Sequence, residues 1–179
     1  MTLVNVEHTS RIYRQDSVAV KALDDVSVAI EAGEFTTLVG PSGSGKTTLL
    51  NKIGALDEPS SGKIQIDGQE ITGLSRKKRT VLRLWKIGFV FQEYNLIGVL
   101  SAQENVEYVL MLRGVPFGER RRQARAILAD VGLKGLEARL PNELSGGQQQ
   151  RVAVARAIVS KPAIVLADEP TANLDSKTG

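Results

Sequence analysis

The sequence predicts an α/β fold: a mostly parallel core sheet, an N-terminal antiparallel β subdomain and a helical insertion. Three observations predict it. Gly40-Pro41-Ser42-Gly43-Ser44-Gly45-Lys46-Thr47 reads G-x-x-x-x-G-K-[ST], set between a strand-like run and a helix-like run. Ala163-Ile164-Val165-Leu166-Ala167 is a near-continuous apolar run, as a parallel strand buried on both faces requires. Residues 2 to 39 carry the alternation of antiparallel strands.

Composition narrows the class. The chain has 179 residues, enough for one domain with a sizeable core. Apolar residues are 42% and charged residues 24%, as in ordinary globular proteins. Without a cysteine, disulfides and thiolate metal sites are excluded, which fits a reducing compartment. A net charge of +3 is too mild to argue for nucleic acid. No apolar run reaches the roughly 18 residues of a membrane-spanning helix. Met1 to Glu7 lacks a basic segment followed by a long apolar one, so no signal peptide is expected.

Taken in order, Leu23, Val26, Val28 and Ile30 alternate with polar positions in the later part of the N-terminal strands. Tyr13 stands in a polar stretch, Arg11-Ile12-Tyr13-Arg14-Gln15, and by pattern alone reads as a half-buried tyrosine. Glu31-Ala32-Gly33-Glu34 is a turn into Phe35–Val39, which reads as a buried strand feeding the glycine-rich loop. Thr48 to Ile53 reads as the helix after that loop. Pro59-Ser60-Ser61-Gly62 is a turn, and Lys63-Ile64-Gln65-Ile66 alternates and ends in Asp67-Gly68, a hairpin signal. Arg76, Lys77, Lys78, Arg79 and Arg83 read as a solvated helix face. Ile87 to Phe91 reads as a core strand followed at once by Gln92. Ser101-Ala102-Gln103-Glu104 is a capping box opening one helix. Ala124, Ile127, Leu128 and Val131 give the spacing of a second, with Arg120, Arg121 and Arg122 near its start as a solvated face. Residues from about 93 to 140 form the helical insertion. Leu144-Ser145-Gly146-Gly147-Gln148 opens a further helix through a second capping box, S-x-x-Q.

Three of these stretches carry chemistry. Glycines in the Gly40–Thr47 loop let backbone N–H groups turn inward as an anion nest. Lys46 supplies a point charge for β- and γ-phosphates, and Thr47 a hydroxyl for Mg²⁺, a hard cation that takes oxygen ligands. Gly146 and Gly147 are poor helix formers at a helix start, and suggest an anion approaching the exposed N–H groups. Asp168 and Glu169 sit at the carboxyl end of a strand, where ligands bind in parallel sheets.

Together these residues resemble the ATP-binding subunit of ABC transporters, a P-loop NTPase with an ABC-type ATPase domain. The resemblance covers essentially the whole chain, 1–179, as a single domain. Leu144, Ser145, Gly146, Gly147 and Gln148 match the family signature. Ile164 to Glu169 looks like Walker B with the catalytic glutamate. Asn173, Leu174 and Asp175 resemble the D-loop, Gln92 the Q-loop and Tyr13 the adenine-stacking A-loop aromatic. Gly40–Thr47, the Phe91–Leu96 run and Ala167–Asp175 look most like the lipoprotein-releasing, macrolide-export and cell-division type (LolD-, MacB- and FtsE-like).

The resemblance implies ATP and Mg²⁺ as cofactors. ATP is held by Tyr13 and by Gly40, Pro41, Ser42, Gly43, Ser44, Gly45, Lys46, Thr47 and Thr48. The metal falls to Thr47, Gln92 and Asp168, and catalysis to Glu169 and Gln92. A second anion-binding helix end is redundant within one subunit, so the signature is expected to serve the ATP of a partner subunit, in a two-fold homodimer. An integral membrane permease subunit is the implied partner, with the chain peripheral at the inner, cytoplasmic face of the membrane and no direct nucleic acid. The alternative is a soluble ABC-type ATPase acting on DNA or ribosomes, a class marked by tandem domains, coiled-coil insertions or zinc-binding cysteines, none visible in this sequence. A P-loop kinase would leave the signature without a role. One departure stands out. The family places a switch-loop histidine beyond the D-loop, whereas the only histidine here is His8. The sequence is therefore read as a C-terminally incomplete domain, expected to be a weak ATPase by itself.

Overall fold

The computed structural model describes residues 1–15 and 18–172, and they fall into two compact units, Met1–Arg83 and Leu84–Gly179.

The first unit is built on an antiparallel sheet in the order β2-β1-β3-β4. Its strands are β1 (Thr2–Gln15), β2 (Val18–Glu31), β3 (Ser61–Ile66) and β4 (Gln69–Glu70). Val4 pairs with Ile66 and Val6 with Ile64 across β1 and β3, and all four are buried. Directly opposed side chains share a face, so these pairs are the apolar side of the sheet. On β2, half-buried Val26, Val28 and Ile30 alternate with exposed Asp25, Ser27 and Ala29, as the period of a strand demands. The β3–β4 hairpin turns on Asp67 and Gly68, both at positive φ (50° and 72°), the geometry that Asp-Gly favours. Helix α1 (Lys46–Ile53) follows the glycine-rich loop directly.

Two expectations change in this unit. Phe35–Val39 is not a strand, and Phe35 and Val39 are 94% and 89% exposed. No described strand pairs with it, and an extended apolar run without a ladder neighbour has nothing to bury it. The basic run begins α2 (Arg76–Lys86), and only part of it is solvated. Arg76, Lys77 and Lys78 are exposed, whereas Arg79 pairs with Glu58 at 3.1 Å and Arg83 donates to the Ala55 carbonyl at 2.7 Å. The local pattern reports the charges but not the loop waiting for two of them.

Among its described residues the second unit holds a parallel pair, β5 (Ile87–Val90) and β6 (Ile164–Ala167), and three α-helices, α3 (Ala102–Leu112), α4 (Phe117–Asp130) and α5 (Gly146–Ile158). Val106 of α3, Ala124 and Leu128 of α4, and Val152 and Ala155 of α5 form one fully buried cluster. Its closeness follows from residues spaced three and four apart on each helix. Gly88 brings α5 onto β5: a Cβ there would stand 2.4 Å from the Ala157 carbonyl oxygen. The parallel pairing is as the sequence predicts, but burial on both faces of β6 is not. Leu166 is buried, while Val165 is 41% exposed and Ala167 also lies open. Successive side chains of β6 point to opposite faces, and only the face carrying Leu166 is buried. On α4, Arg120 departs from the expected solvated face, pairing with the buried Glu107 carboxylate at 3.2 Å. Arg122 stays on the solvated side, held by Glu119 at 2.7 Å.

Candidate functional site

In the first unit the glycine-rich loop turns into α1 through Gly45, the N-cap, at φ 92°. A Cβ at Gly45 would also meet the Ala22 carbonyl oxygen of β2 at 2.4 Å, so only glycine fits both the conformation and the contact. No side chain caps this helix and no acidic residue stands in its first turn. The positive end of its dipole therefore meets the glycine-rich loop with no carboxylate in the first turn to offset it, the setting in which an anion is favoured. Lys46 Nζ donates to the carbonyls of Gly40 (2.9 Å) and Pro41 (3.0 Å), which folds the side chain back over the loop. Thr47 and Thr48 follow in the first turn of α1. Tyr13, on β1, is 39% exposed, with the Arg11 guanidinium 4.5 Å from its ring centre.

In the second unit, Gln92 and the Asp168–Glu169 pair emerge at the same end of neighbouring parallel strands. Val90 is in register with Ala167, and the Asp168 N–H donates to the Val90 carbonyl at 3.0 Å. Both reach the carboxyl edge of the pair. Asp168 is half-buried and Glu169 exposed, with Glu169 at φ 45°, a strained conformation for a non-glycine residue. The left-handed turn changes the chain direction between two consecutive carboxylates.

The signature stretch opens α5 as predicted. Ser145 Oγ accepts from the Gln148 N–H at 3.3 Å, and Gln148 Oε1 accepts from the Ser145 N–H at 2.9 Å. Leu144 is buried and anchors the turn; Ser145 is exposed; Gly146, Gly147 and Gln148 are half-buried. Ser101 and Glu104 form the other predicted box at the start of α3. Asn173, Leu174 and Asp175 lie outside the described residues.

Sequence reasoning missed Arg156. It lies on α5 about three turns beyond Ser145. Its guanidinium donates to the carbonyls of Asn95 (2.6 Å) and Tyr94 (2.9 Å) in the loop after Gln92. Tyr94 and Asn95 sit at φ 55° and 49°, and this arginine fastens the strained pair. Burial pushes the Arg156 guanidinium below its ordinary pKa, yet an arginine stays charged in a folded protein. The available signal was one cation four residues after Val152, on the face that packs inward. Arg156→Met is expected to lower unfolding free energy by about 3 kcal/mol or more, since two charge-assisted bonds worth about 1.5–3 each are lost. Urea unfolding checks this, and an unchanged midpoint would contradict it.

Thr47 and Asp168 offer hydroxyl and carboxylate oxygens, the donor type that Mg²⁺ takes. Among the described residues no three His, Cys, Asp or Glu side chains converge as a metal cluster. Within its own unit each supplies a single oxygen ligand, so an ion held at either would take its remaining ligands from phosphates and water. No helix among the described residues is long and apolar enough to cross a membrane.

Comparison with known proteins agrees with this geometry. Residues 23–172 match the family described as ABC transporter. The chain is 50% identical over 169 residues to an uncharacterized ABC transporter ATP-binding protein of Thermotoga maritima, covering 94% of this chain and 72% of that protein. It is 45% identical over 175 residues to the lipoprotein-releasing system ATP-binding protein LolD of Bordetella avium, covering 98% and 76%. It is 47% identical to the macrolide export ATP-binding/permease protein MacB of Hyphomonas neptunium, covering 97% of this chain but 27% of that longer protein. Among solved structures it resembles the ATP-binding cassette MJ0796 in a dimeric post-hydrolysis state bound to ADP and Pi, with TM-score 0.92 and 44% identity over 98% of this chain and 78% of that one. A fold match at this identity, joined to the loop, the strand-end carboxylates and the signature, fixes the assignment: the chain belongs to the ABC transporter family, as an ATP-binding and ATP-hydrolysing cassette that works with Mg²⁺.

Proposed function

We propose the following division of labour within one ATPase domain spanning both units, residues 93–140 being its helical block. Gly40–Thr47, with Thr48, holds the phosphates of ATP, Lys46 acting as a point charge on the β- and γ-phosphates. Tyr13 stacks on the base. Thr47, Asp168 and Gln92 are the protein's contacts to Mg²⁺, which when bound neutralises charge on the β- and γ-oxygens. Glu169 accepts the proton of the attacking water, as a general base within reach of its nucleophile does. Gln92 senses the γ-phosphate. What carries this reading is the Gly45 turn, with a conformation and contact open only to glycine, at a helix end without an acidic residue.

Two copies join head to tail, Ser145 and Gly147 of each serving the ATP of the other. The MJ0796 cassettes of the same fold are dimeric, which supports this assembly. ATP binding closes the pair and hydrolysis releases it. An integral membrane permease converts that cycle into transport, placing the chain at the cytoplasmic face of the membrane. The MacB relative, described as an ATP-binding/permease protein, supports such a pairing.

The permease is expected to dock on the loop after Gln92 and the helical block. Cysteines placed one at a time from Glu93 to Leu100 in the full-length protein should cross-link to an integral membrane protein. Cross-links confined to β1 and β2, or to ribosomal protein or nucleic acid, would contradict this assignment.

A further inference from the structure

A second set of residues in the first unit surrounds Tyr13, and the reaction as described leaves it unused. Arg11 and Tyr13 are two apart on β1, so both side chains leave the same face of the strand. The Arg11 guanidinium covers one side of the ring at 4.5 Å and is itself fixed twice, by the Glu58 carbonyl at 3.0 Å and the Asp57 carboxylate at 3.1 Å. The ring hydroxyl is held as well. It accepts from Lys52 Nζ at 3.4 Å and donates to Asp57 Oδ2 at 3.4 Å. Lys52 and Asp57 also pair directly.

The side chain of Lys52 is 0% exposed, while Tyr13 is 39% exposed. A buried ammonium paired with a carboxylate is a poor source of stability, because desolvation offsets its attraction. What such a pair secures is direction. Here it fixes the hydroxyl end of a ring that two cations approach, Arg11 at 4.5 Å and Lys52 at 5.5 Å from its centre, and that stays 39% exposed. Burial raises the Asp57 carboxyl, but the bonds from Lys52 and the Glu58 N–H, with Arg11 nearby, outweigh it and hold the group below its ordinary value. Asp57 is therefore charged at neutral pH, and the clamp is set.

Lys52 stands in the last turn of α1, whose first residues are Lys46 and Thr47. At about 1.5 Å of rise per residue the two lysines are roughly 9 Å apart along one rigid helix. The phosphate end and the ring are thus tied to the same element rather than to separate loops.

We propose that Arg11, Lys52 and Asp57 are positioning residues for the nucleotide base, holding the Tyr13 ring at a set height above the phosphate loop. The proposal rests on the reading that Tyr13 stacks on the base. Its ligand is the planar base of a nucleoside triphosphate seated on Gly40–Thr47.

The test is calorimetric titration of the full-length protein with Mg-ATP and, separately, with Mg-tripolyphosphate, which has no base. Tyr13→Ala should weaken ATP about 10- to 100-fold, the usual span for a lost base–aromatic stack, and leave tripolyphosphate unchanged. Tyr13→Phe and Lys52→Met should each weaken ATP about three- to tenfold, again without effect on tripolyphosphate. Tyr13→Phe removes a single oxygen from a partly exposed ring, so its result does not depend on refolding around a buried site. If Tyr13→Ala loses ATP affinity while Tyr13→Phe and Lys52→Met keep it, the clamp has no positioning role and the stacking reading survives. If Tyr13→Ala keeps parental ATP affinity, the stacking reading falls and the proposal with it. A Lys52→Met protein that loses both ligands equally would overturn the proposal too, because Lys52 would then serve only the fold of α1.

Discussion

Lys46→Ala is expected to weaken Mg-ATP binding by about 10²-fold or more in a protein that remains folded. Removing one partner of a desolvated, hydrogen-bonded charge pair costs about 2–5 kcal/mol. Lys46 is the cation of the Gly40–Thr47 loop, and its donations to the Gly40 and Pro41 carbonyls show that the side chain reaches back across that loop. Alanine keeps the helical propensity of the first turn of α1, so the fold should stand. Titration calorimetry gives the affinity and circular dichroism the fold. A folded variant with parental affinity would remove this loop from nucleotide binding.

Glu169→Gln should separate binding from turnover. The amide keeps the size of the side chain but cannot take a proton from water, and a lost general base typically costs about 10²–10⁴ in rate. ATP should still bind, because the phosphate loop is untouched. With hydrolysis stalled, the ATP-joined pair should persist, and gel filtration with ATP should show a dimer for the variant in the full-length protein. Parental turnover by Glu169→Gln would mean that another group activates the water.

What was legible in the sequence was local. The Gly40–Thr47 loop, the boxes at Ser101–Glu104 and Ser145–Gln148, and the Asp67-Gly68 turn each depend on residues within one turn of one another. Their chemistry and their geometry share a few consecutive positions. Phe35–Val39 misled because an apolar pentapeptide becomes a strand only beside another strand, a property of its surroundings. β6 misled in the same way: its composition suited burial on both faces, but burial depends on what lies against each face. Arg156 was missed because its partners are distant in sequence, and Lys52 because its role at Tyr13 is, although its ion-pair partner Asp57 lies only five residues on. Arg156 reaches carbonyls 61 and 62 residues away, and Lys52 a hydroxyl 39 residues away. A lone cation on an inward helix face marks such a site without naming its partner.

In the proposed dimer two copies share each ATP, the signature of one meeting the phosphate loop of the other. These 179 residues contain no cysteine, so once any cysteine elsewhere in the protein is replaced by serine, two introduced thiols report on a single distance. One full-length protein should carry Ser42→Cys and a second Ser145→Cys, both with Glu169→Gln, mixed and exposed to mild oxidant with and without Mg-ATP. A disulfide between the two different chains, formed with Mg-ATP and absent without it, is the expected result. Equal cross-linking with and without nucleotide, or none in the presence of bound ATP, would contradict it.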